Sequence, residues 1–511
     1  MATERVSASG KNLRVSLFGH FMTVIFNFAT RRIFLSVLGS ECTGFSGLSA
    51  HILNFLTLIE PGFDAACAFC LYRPLAYSDN NLTHSIMGYL SKIYKRTGIL
   101  TFIAGLFALP LALYLSKGSV DTGFATTVYL FSLVEMSVSY LIVHRRILPV
   151  SDQKSYIVTG FGYGIFITSK LTQLIVLLTT RNYIVCLACG IITGLFGELI
   201  LYCIIGKMYP FIKKTPEKLP EKVRAEIKSK AGSLFFHKVG AILCGSVDNM
   251  AVFIFIGLGG GTMYSNYTML SGVCLAFISI ITGSVAASVG NLGVTGSRER
   301  MMKVYSTALF SVFALALFFA LSLFFTYPII VELWVGAEMV LNAGTTALFC
   351  MVMFLSALRR PTGVFLDGFG LFDKEKYKAI AEAVITLLAT IILAPRFGIA
   401  GVLLGQLCGV LLFSFWYEPY ILFKYGFRHD MSMFFRDMMK YIFALMLSFC
   451  MCLVLCLCSG DFFQGMPKLF FRIAVCGFSV MSVFSILFFD SERLSETLRY
   501  GKRLIFSLRN S

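Results

Sequence analysis

The chain has 511 residues, 57% of them apolar and 14% charged, with a formal net charge of +17 and a mean hydropathy of +0.79. Soluble domains run nearer about 45–50% apolar and about 25% charged, so this mixture needs hydrocarbon as solvent and reads as an all-α polytopic membrane protein. The basic residues fall in short segments between apolar spans, with no basic domain, zinc-finger spacing or aromatic-basic surface run, which argues against a nucleic-acid partner.

In chain order, about fourteen spans are predicted, at 13–37, 47–70, 99–115, 124–146, 156–179, 183–205, 234–257, 264–289, 304–327, 345–366, 379–395, 399–421, 441–459 and 471–489. No small-residue cleavage site follows the first apolar stretch, so it is expected to stay as the first transmembrane helix. An even number of spans puts both termini on one side. With the termini cytoplasmic, about 35 of the 44 Lys and Arg residues fall on the inside. The outside keeps only Arg31, Arg32 and five scattered others.

The longest loop, within 206–233, is basic and broken by Pro216 and Pro220. It suits a cytoplasmic linker between an N-lobe at 1–205 and a C-lobe at 234–425, with 426–489 carrying two further spans. The tail at 490–511 sets Leu494, Leu498, Ile505 and Leu508 near one helical face with basic residues opposite, which fits a helix lying on the anionic inner leaflet. A faint internal repeat supports two halves. Leu38-Gly39 and Ile256-Gly257 each pair an aliphatic residue with a glycine after an opening helix. "GLGGGT" has no lysine and reads as a turn, not a phosphate loop.

Most of the fifteen cysteines lie inside apolar segments, as Cys450, Cys452, Cys456 and Cys458 do, where the thiol is a small hydrophobe. Cys67 and Cys70 have redox-pair spacing but no second pair, so neither metal nor other cofactor is expected. Ionisable groups within the spans carry more information, because charge in hydrocarbon is costly and usually faces a wet cavity or a partner. The cations are Arg31, Arg32, Lys170 and Lys238. The acids are Glu60, Asp64, Glu135, Glu198, Asp248 and Glu382.

Several phrases, in order from about residue 30 to residue 425, resemble one transporter family: "VLGSECTGFSGL", "LIEPGFDAACAFCLYRPLA", "DQKSYI", "SVDNMAVFIFIGLGGGTMYSNYTML", "ELWVGAEMVL" and "FGIAGVLLGQLCGVLLFSFWYEPYILFKYGF". The family is the polysaccharide-transport flippases of the multidrug/oligosaccharidyl-lipid/polysaccharide exporter superfamily, in particular the Wzx-type O-antigen and capsule repeat-unit flippases. The resemblance implies two pseudo-symmetric six-helix lobes in a V around a cationic cavity, with two extra C-terminal helices. It implies an undecaprenyl-diphosphate-linked oligosaccharide as substrate, turned from the cytoplasmic to the periplasmic leaflet of a bacterial inner membrane by alternating access. Membrane lipids and polysaccharide polymerase or chain-length machinery are the implied partners, and no catalytic residue is implied.

On that reading Arg31 and Arg32 are the leading phosphate ligands, since guanidinium pairs bidentately with phosphate oxygens. The competing reading has both snorkelling to the outer headgroups. Adjacent helical residues point about 100° apart, so at most one faces a lumen squarely. Lys170 stands between a cavity role and an ion pair within its half, and Lys238 between a cavity role and snorkelling at the inner surface. Glu60, Asp64, Glu135, Glu198, Asp248 and Asn249 are candidates for gating or for coupling to H+ or Na+. Glu60 lies at a Pro-Gly break where freed carbonyls could join it. Pseudo-symmetry would bring Arg31 and Asp248 together as a gate ion pair, against a static pair or an Asp248–Asn249 cap. Tyr264, Asn266 and Tyr267 are candidate sugar contacts, or simply a helix start. A cation-coupled exporter of drugs or other amphiphiles is the alternative function. A membrane polymerase or ligase is disfavoured by short outer loops.

Overall fold

The architecture is taken from a computed structural model, which describes residues 2–489 apart from 61, 214–217, 296–297, 376 and 459–463, together with 494 and 497. The expected amphipathic tail lies almost wholly outside the described residues. No strand occurs among them. The helices are α1 (Ala2–Leu56), α2 (Phe63–Ala76), α3 (Asn80–Leu115), α4 (Thr122–Val143), α5 (Ile147–Ser151), α6 (Ser155–Thr180), α7 (Tyr183–Met208), α8 (Glu221–Phe255) and α9 (Leu258–Thr295). They continue as α10 (Arg298–Val335), α11 (Ala343–Gly368), α12 (Phe372–Glu375), α13 (Lys378–Phe397), α14 (Ile399–Gly409), α15 (Phe415–Ile421), α16 (Ser432–Cys458) and α17 (Gly465–Leu487).

Twelve helical stretches among the described residues are long and apolar enough to cross a membrane. The first of these contains two arms joined at Gly39, whose φ of 77° and ψ of 177° interrupt the helix. A further helix, α8, carries the seventh predicted span, so the all-α polytopic class and a span number near fourteen agree with the structure. One boundary moves. The second arm ends at Leu56, a short 3-10 turn follows, and α2 starts afresh at Phe63 behind Gly62 with φ of 79°. The sequence had run these pieces together as 47–70, because both sides of the break are apolar.

Gly257 joins α8 to α9 with φ of 98°. Both glycines of the faint internal repeat therefore sit in the left-handed region, which costs glycine least, at a break between helices.

Two compact units partition the chain. The first takes the chain through Ser246 and adds Gly257–Thr262; the second takes Val247–Ile256 and the chain from Met263 onward. Within the first unit a core of Leu71, Ile86, Leu90, Leu148 and Ile205 ties α2, α3, α5 and α7 together. Within the second, α10 is the hub. Phe313 of α10 stacks on Tyr441 of α16 at 4.1 Å and on Phe484 of α17 at 5.6 Å, so the last two helices are packed into this unit's core. In the second unit α13 and α14 approach closely. There Gly401, Gly405 and Gly409, spaced by four, lie against the Leu393 backbone, Thr390 and Thr386, and a Cβ at any of the three would overlap them. Small residues at four-residue spacing let helix backbones meet where lipid supplies no hydrophobic drive.

Candidate functional site

The two adjacent arginines separate in the structure. Arg31 is half-buried and Arg32 exposed, as their angular offset on one helix requires. Arg31 Nη2 donates to the Thr262 carbonyl at 3.1 Å, and the Thr262 hydroxyl donates to the Ser40 carbonyl at 2.8 Å, one residue past the Gly39 break. Gly44 lies against the Leu258 carbonyl, close enough that a Cβ would overlap it. The start of α9 is thereby fastened to α1 on both sides of Gly39, and Arg31 is one of the fasteners.

Lys170 stands mid-way along α6. Its ammonium donates to Gln173 Oε1 at 3.1 Å, and Glu135 of α4 acts on it electrostatically without forming an ion pair. Gln173 is buried against Gly190 of α7, which leaves room for its amide. Lys238 of α8 has a different setting. Its Nζ donates at 2.6 Å to both the backbone carbonyl and the carboxylate Oε2 of Glu60. Glu60 is buried, and its Oε1 also accepts from the Asp64 amide at 3.4 Å. Two residues expected in separate roles, cavity cation and coupling acid, are thus one ion pair at the break after the second arm. The carboxylate of Asp64 caps its own neighbour, accepting from the Ala65 amide at 2.7 Å. Glu198 pairs with Arg146, while Arg145 lies over the Tyr202 ring at 3.6 Å.

The remaining candidates belong to the second unit. Asp248 is at the end of α8, and its Oδ1 is buried with no hydrogen-bond partner among the described residues. Gln406 of α14 hydrogen-bonds the Asp248 side chain and donates from Nε2 to the Tyr264 hydroxyl at 2.8 Å. Asn249 is partly buried beside it. Tyr264, Asn266 and Tyr267 are all buried. Tyr267 stacks on Tyr327 at 4.7 Å and Phe349 at 5.1 Å, and its hydroxyl accepts from the Leu341 amide at 2.9 Å. The two tyrosine rings are committed to packing in this unit.

Sequence reasoning missed the most highly charged cluster. Arg359 of α11 donates to both oxygens of Glu382 on α13 at 2.9 Å and to Glu418 on α15 at 2.5–3.2 Å. Lys378 reaches Glu418 at 3.0 Å and Glu375 at 2.9 Å, and Ser414 donates to Glu382 at 2.5 Å. Burial pushes the Glu375 carboxyl above its usual value, and Lys378 pulls in the opposite direction. The available signal was Glu418 itself, a lone acid in the apolar run "FWYEPYILF". The turns on either side of α15, Val410–Ser414 and Leu422–Phe427, are π-helical, a geometry that widens a helix and frequently marks functional positions. No group of three or more metal-ligating side chains occurs among the described residues.

A lipid II flippase, MurJ, in an inward closed conformation superposes with a TM-score of 0.68 at 15% identity, covering 93% of this chain and 98% of that one. An inward-facing multidrug-resistance MATE transporter of the MOP superfamily gives 0.61 at 14% identity, covering 78% and 95%. A MATE transporter of Vibrio cholerae gives 0.57 at 14% identity, covering 83% and 99%. The fold is the one these transporters share. No family model matches the sequence, and no curated protein matches it either. At such identities the agreement speaks to the fold, and function must be argued from the residues.

Proposed function

We propose that the chain is a flippase that carries an undecaprenyl-diphosphate-linked oligosaccharide repeat unit from the cytoplasmic to the periplasmic leaflet of a bacterial inner membrane by alternating access, with both termini cytoplasmic. The observation that carries the reading is Lys170. It sits mid-span, where a cation is expensive, yet it is held by the neutral Gln173 rather than by a carboxylate. A mid-span cation with no carboxylate partner marks a site where an anionic ligand can supply one. Arg31 and Arg32 supply two further cations in the same unit. In support, the lipid II flippase structure covers 93% of the chain, against 78% and 83% for the two MATE transporters.

Deleting the gene in its host should abolish surface polysaccharide and accumulate lipid-linked repeat unit on the cytoplasmic side. Lys170→Arg should restore the polymer and Lys170→Met should not, with both proteins inserted at parental levels. A polymer that survives deletion overturns the proposal. The gate expected of Arg31 and Asp248 is part of it. Arg31→Asp combined with Asp248→Arg should recover polymer lost in each single variant, and an equally inactive double removes the gate.

A second reading, a cation-coupled exporter of amphiphiles, is favoured by the unpartnered buried carboxylate oxygen of Asp248, which suits H+ or Na+ uptake. Intact polymer with altered drug tolerance on deletion is its signature.

A further inference from the structure

The turn between α15 and α16 holds a pocket of about 640 Å³, lined by Tyr420, Phe423, Lys424, Tyr425, Arg428, His429, Asp430 and Met431. Its size suits a small ligand. Three of its features point to an anion. Lys424 and Arg428 are exposed, and neither forms an ion pair among the described residues. Lys424 lies over the Tyr420 ring at 4.9 Å and the Tyr425 ring at 5.5 Å and donates to the Tyr420 hydroxyl at 2.6 Å, so aromatic rings place its charge at the pocket wall. From α12, Lys374 approaches the same Tyr425 ring at 5.2 Å. The one lining carboxylate is otherwise engaged. Asp430 Oδ1 accepts from the Met431 amide at 2.7 Å, just before α16 begins.

Arg428 adds a backbone argument. It ends the π-helical turn with φ of 54°, a left-handed conformation that a residue bearing a Cβ enters at a cost and glycine enters freely. Its side chain is exposed, so packing does not explain an arginine there. Strain of this kind is commonly kept at ligand contacts.

The surroundings select the kind of anion. Trp416, one turn before Tyr420, stacks on Phe435 of α16 at 5.7 Å, and both rings are exposed. Along α16 the exposure continues through Met439, Phe443 and Met446, and along the preceding turn through Leu412. Exposed aromatics beside a basic pocket at the end of a span are the anatomy of a membrane interface, and basic pockets between spans hold anionic headgroups.

We infer that this pocket binds an anionic diacyl phospholipid of the cytoplasmic leaflet, with the headgroup phosphate on Lys424 and Arg428 and the acyl chains along the Trp416–Phe435 surface. The leaflet, though not the binding, rests on the orientation in the functional proposal.

The test is native mass spectrometry of the full chain in detergent, offered equal phosphatidylglycerol and phosphatidylcholine of matched chains. The parent should retain phosphatidylglycerol preferentially. Lys424→Ala with Arg428→Gly should lower that retention on the order of tenfold or more, as expected for two lost cations. Arg428→Gly alone should lose lipid while raising thermal stability, a combination that a purely structural arginine would not give. Lys222→Ala with Lys228→Ala, which removes equal charge from the exposed face of α8, should retain the lipid. Equal retention by parent and pocket variants overturns the inference. So does displacement of the lipid by millimolar inorganic phosphate, which would make this a site for a soluble anion. Arg428→Cys in intact cells should resist an impermeant thiol reagent above the parental background. Labelling there would refute the leaflet and the orientation while leaving the binding result standing.

Discussion

The two units treat charge inside apolar helices in different ways. In the first, charges are met singly: Lys238 by Glu60, Arg146 by Glu198, Lys170 by an amide. In the second, Arg359 is shared by two carboxylates and Lys378 by two, one of which is common to both. Lys170, held by one neutral amide, can exchange that partner for a ligand at the cost of a single contact. A cation shared within a network cannot leave without stranding several buried carboxylates. The second unit's charges are therefore best suited to holding α11, α13 and α15 in place.

The largest expected effect breaks the network. Arg359→Met leaves Glu382 and Glu418 facing each other without the shared guanidinium, and removing one partner of a buried ion pair costs about 3–5 kcal/mol. Thermal unfolding in detergent should show a large fall, or no folded protein should be recovered. Glu418→Gln should be milder, because Arg359 keeps Glu382 and Lys378 keeps Glu375. An unchanged melting temperature for Arg359→Met would erase the contrast between the units.

The intermediate effect concerns the Lys238–Glu60 pair. Lys238→Met removes two charge-assisted hydrogen bonds, at about 1.5–3 kcal/mol, and leaves Glu60 without its cation. Because the carboxylate is then the liability, adding Glu60→Gln to Lys238→Met should restore part of the lost stability. If the double variant is no better than the single one, the pair is not the one-to-one contact described here.

How much of this was legible beforehand depended on whether a signal was local. Spans, their approximate number and the all-α class follow from runs of apolar residues, which need no tertiary information. The glycines at 39 and 257 were visible as a repeated turn, and both take positive φ. The second span was misjudged because the break at 60–62 has apolar residues on either side. The ion network was missed because its members are spread over 60 residues from Arg359 to Glu418, and partnership at that separation is a property of packing. Arg359 and Arg360 fall within the predicted span 345–366, and α11 encloses both, but their partners lie on other helices. Tyr264 and Tyr267 read from the sequence as sugar contacts or as a helix start. Only the three-dimensional arrangement shows their rings buried against Gln406, Tyr327 and Phe349.

The smallest effects on stability should come from the arginine pair. Arg31→Ala removes one hydrogen bond to the Thr262 carbonyl, about 1 kcal/mol, whereas Arg32→Ala alters an exposed side chain and should fall within about 0.5 kcal/mol of the parent. Under the proposed function, the lysine series separates charge from hydrogen bonding at position 31. Arg31→Lys keeps the charge but loses the planar fork that reaches Thr262, so it should resemble Arg31→Ala in stability. If charge is what an anionic substrate needs from this position, Arg31→Lys should nonetheless retain more polymer export than Arg31→Ala. An Arg31→Lys variant as defective in export as Arg31→Ala would show that position 31 serves the Gly39 joint alone, and would leave Arg32 and Lys170 to carry the first unit's positive charge.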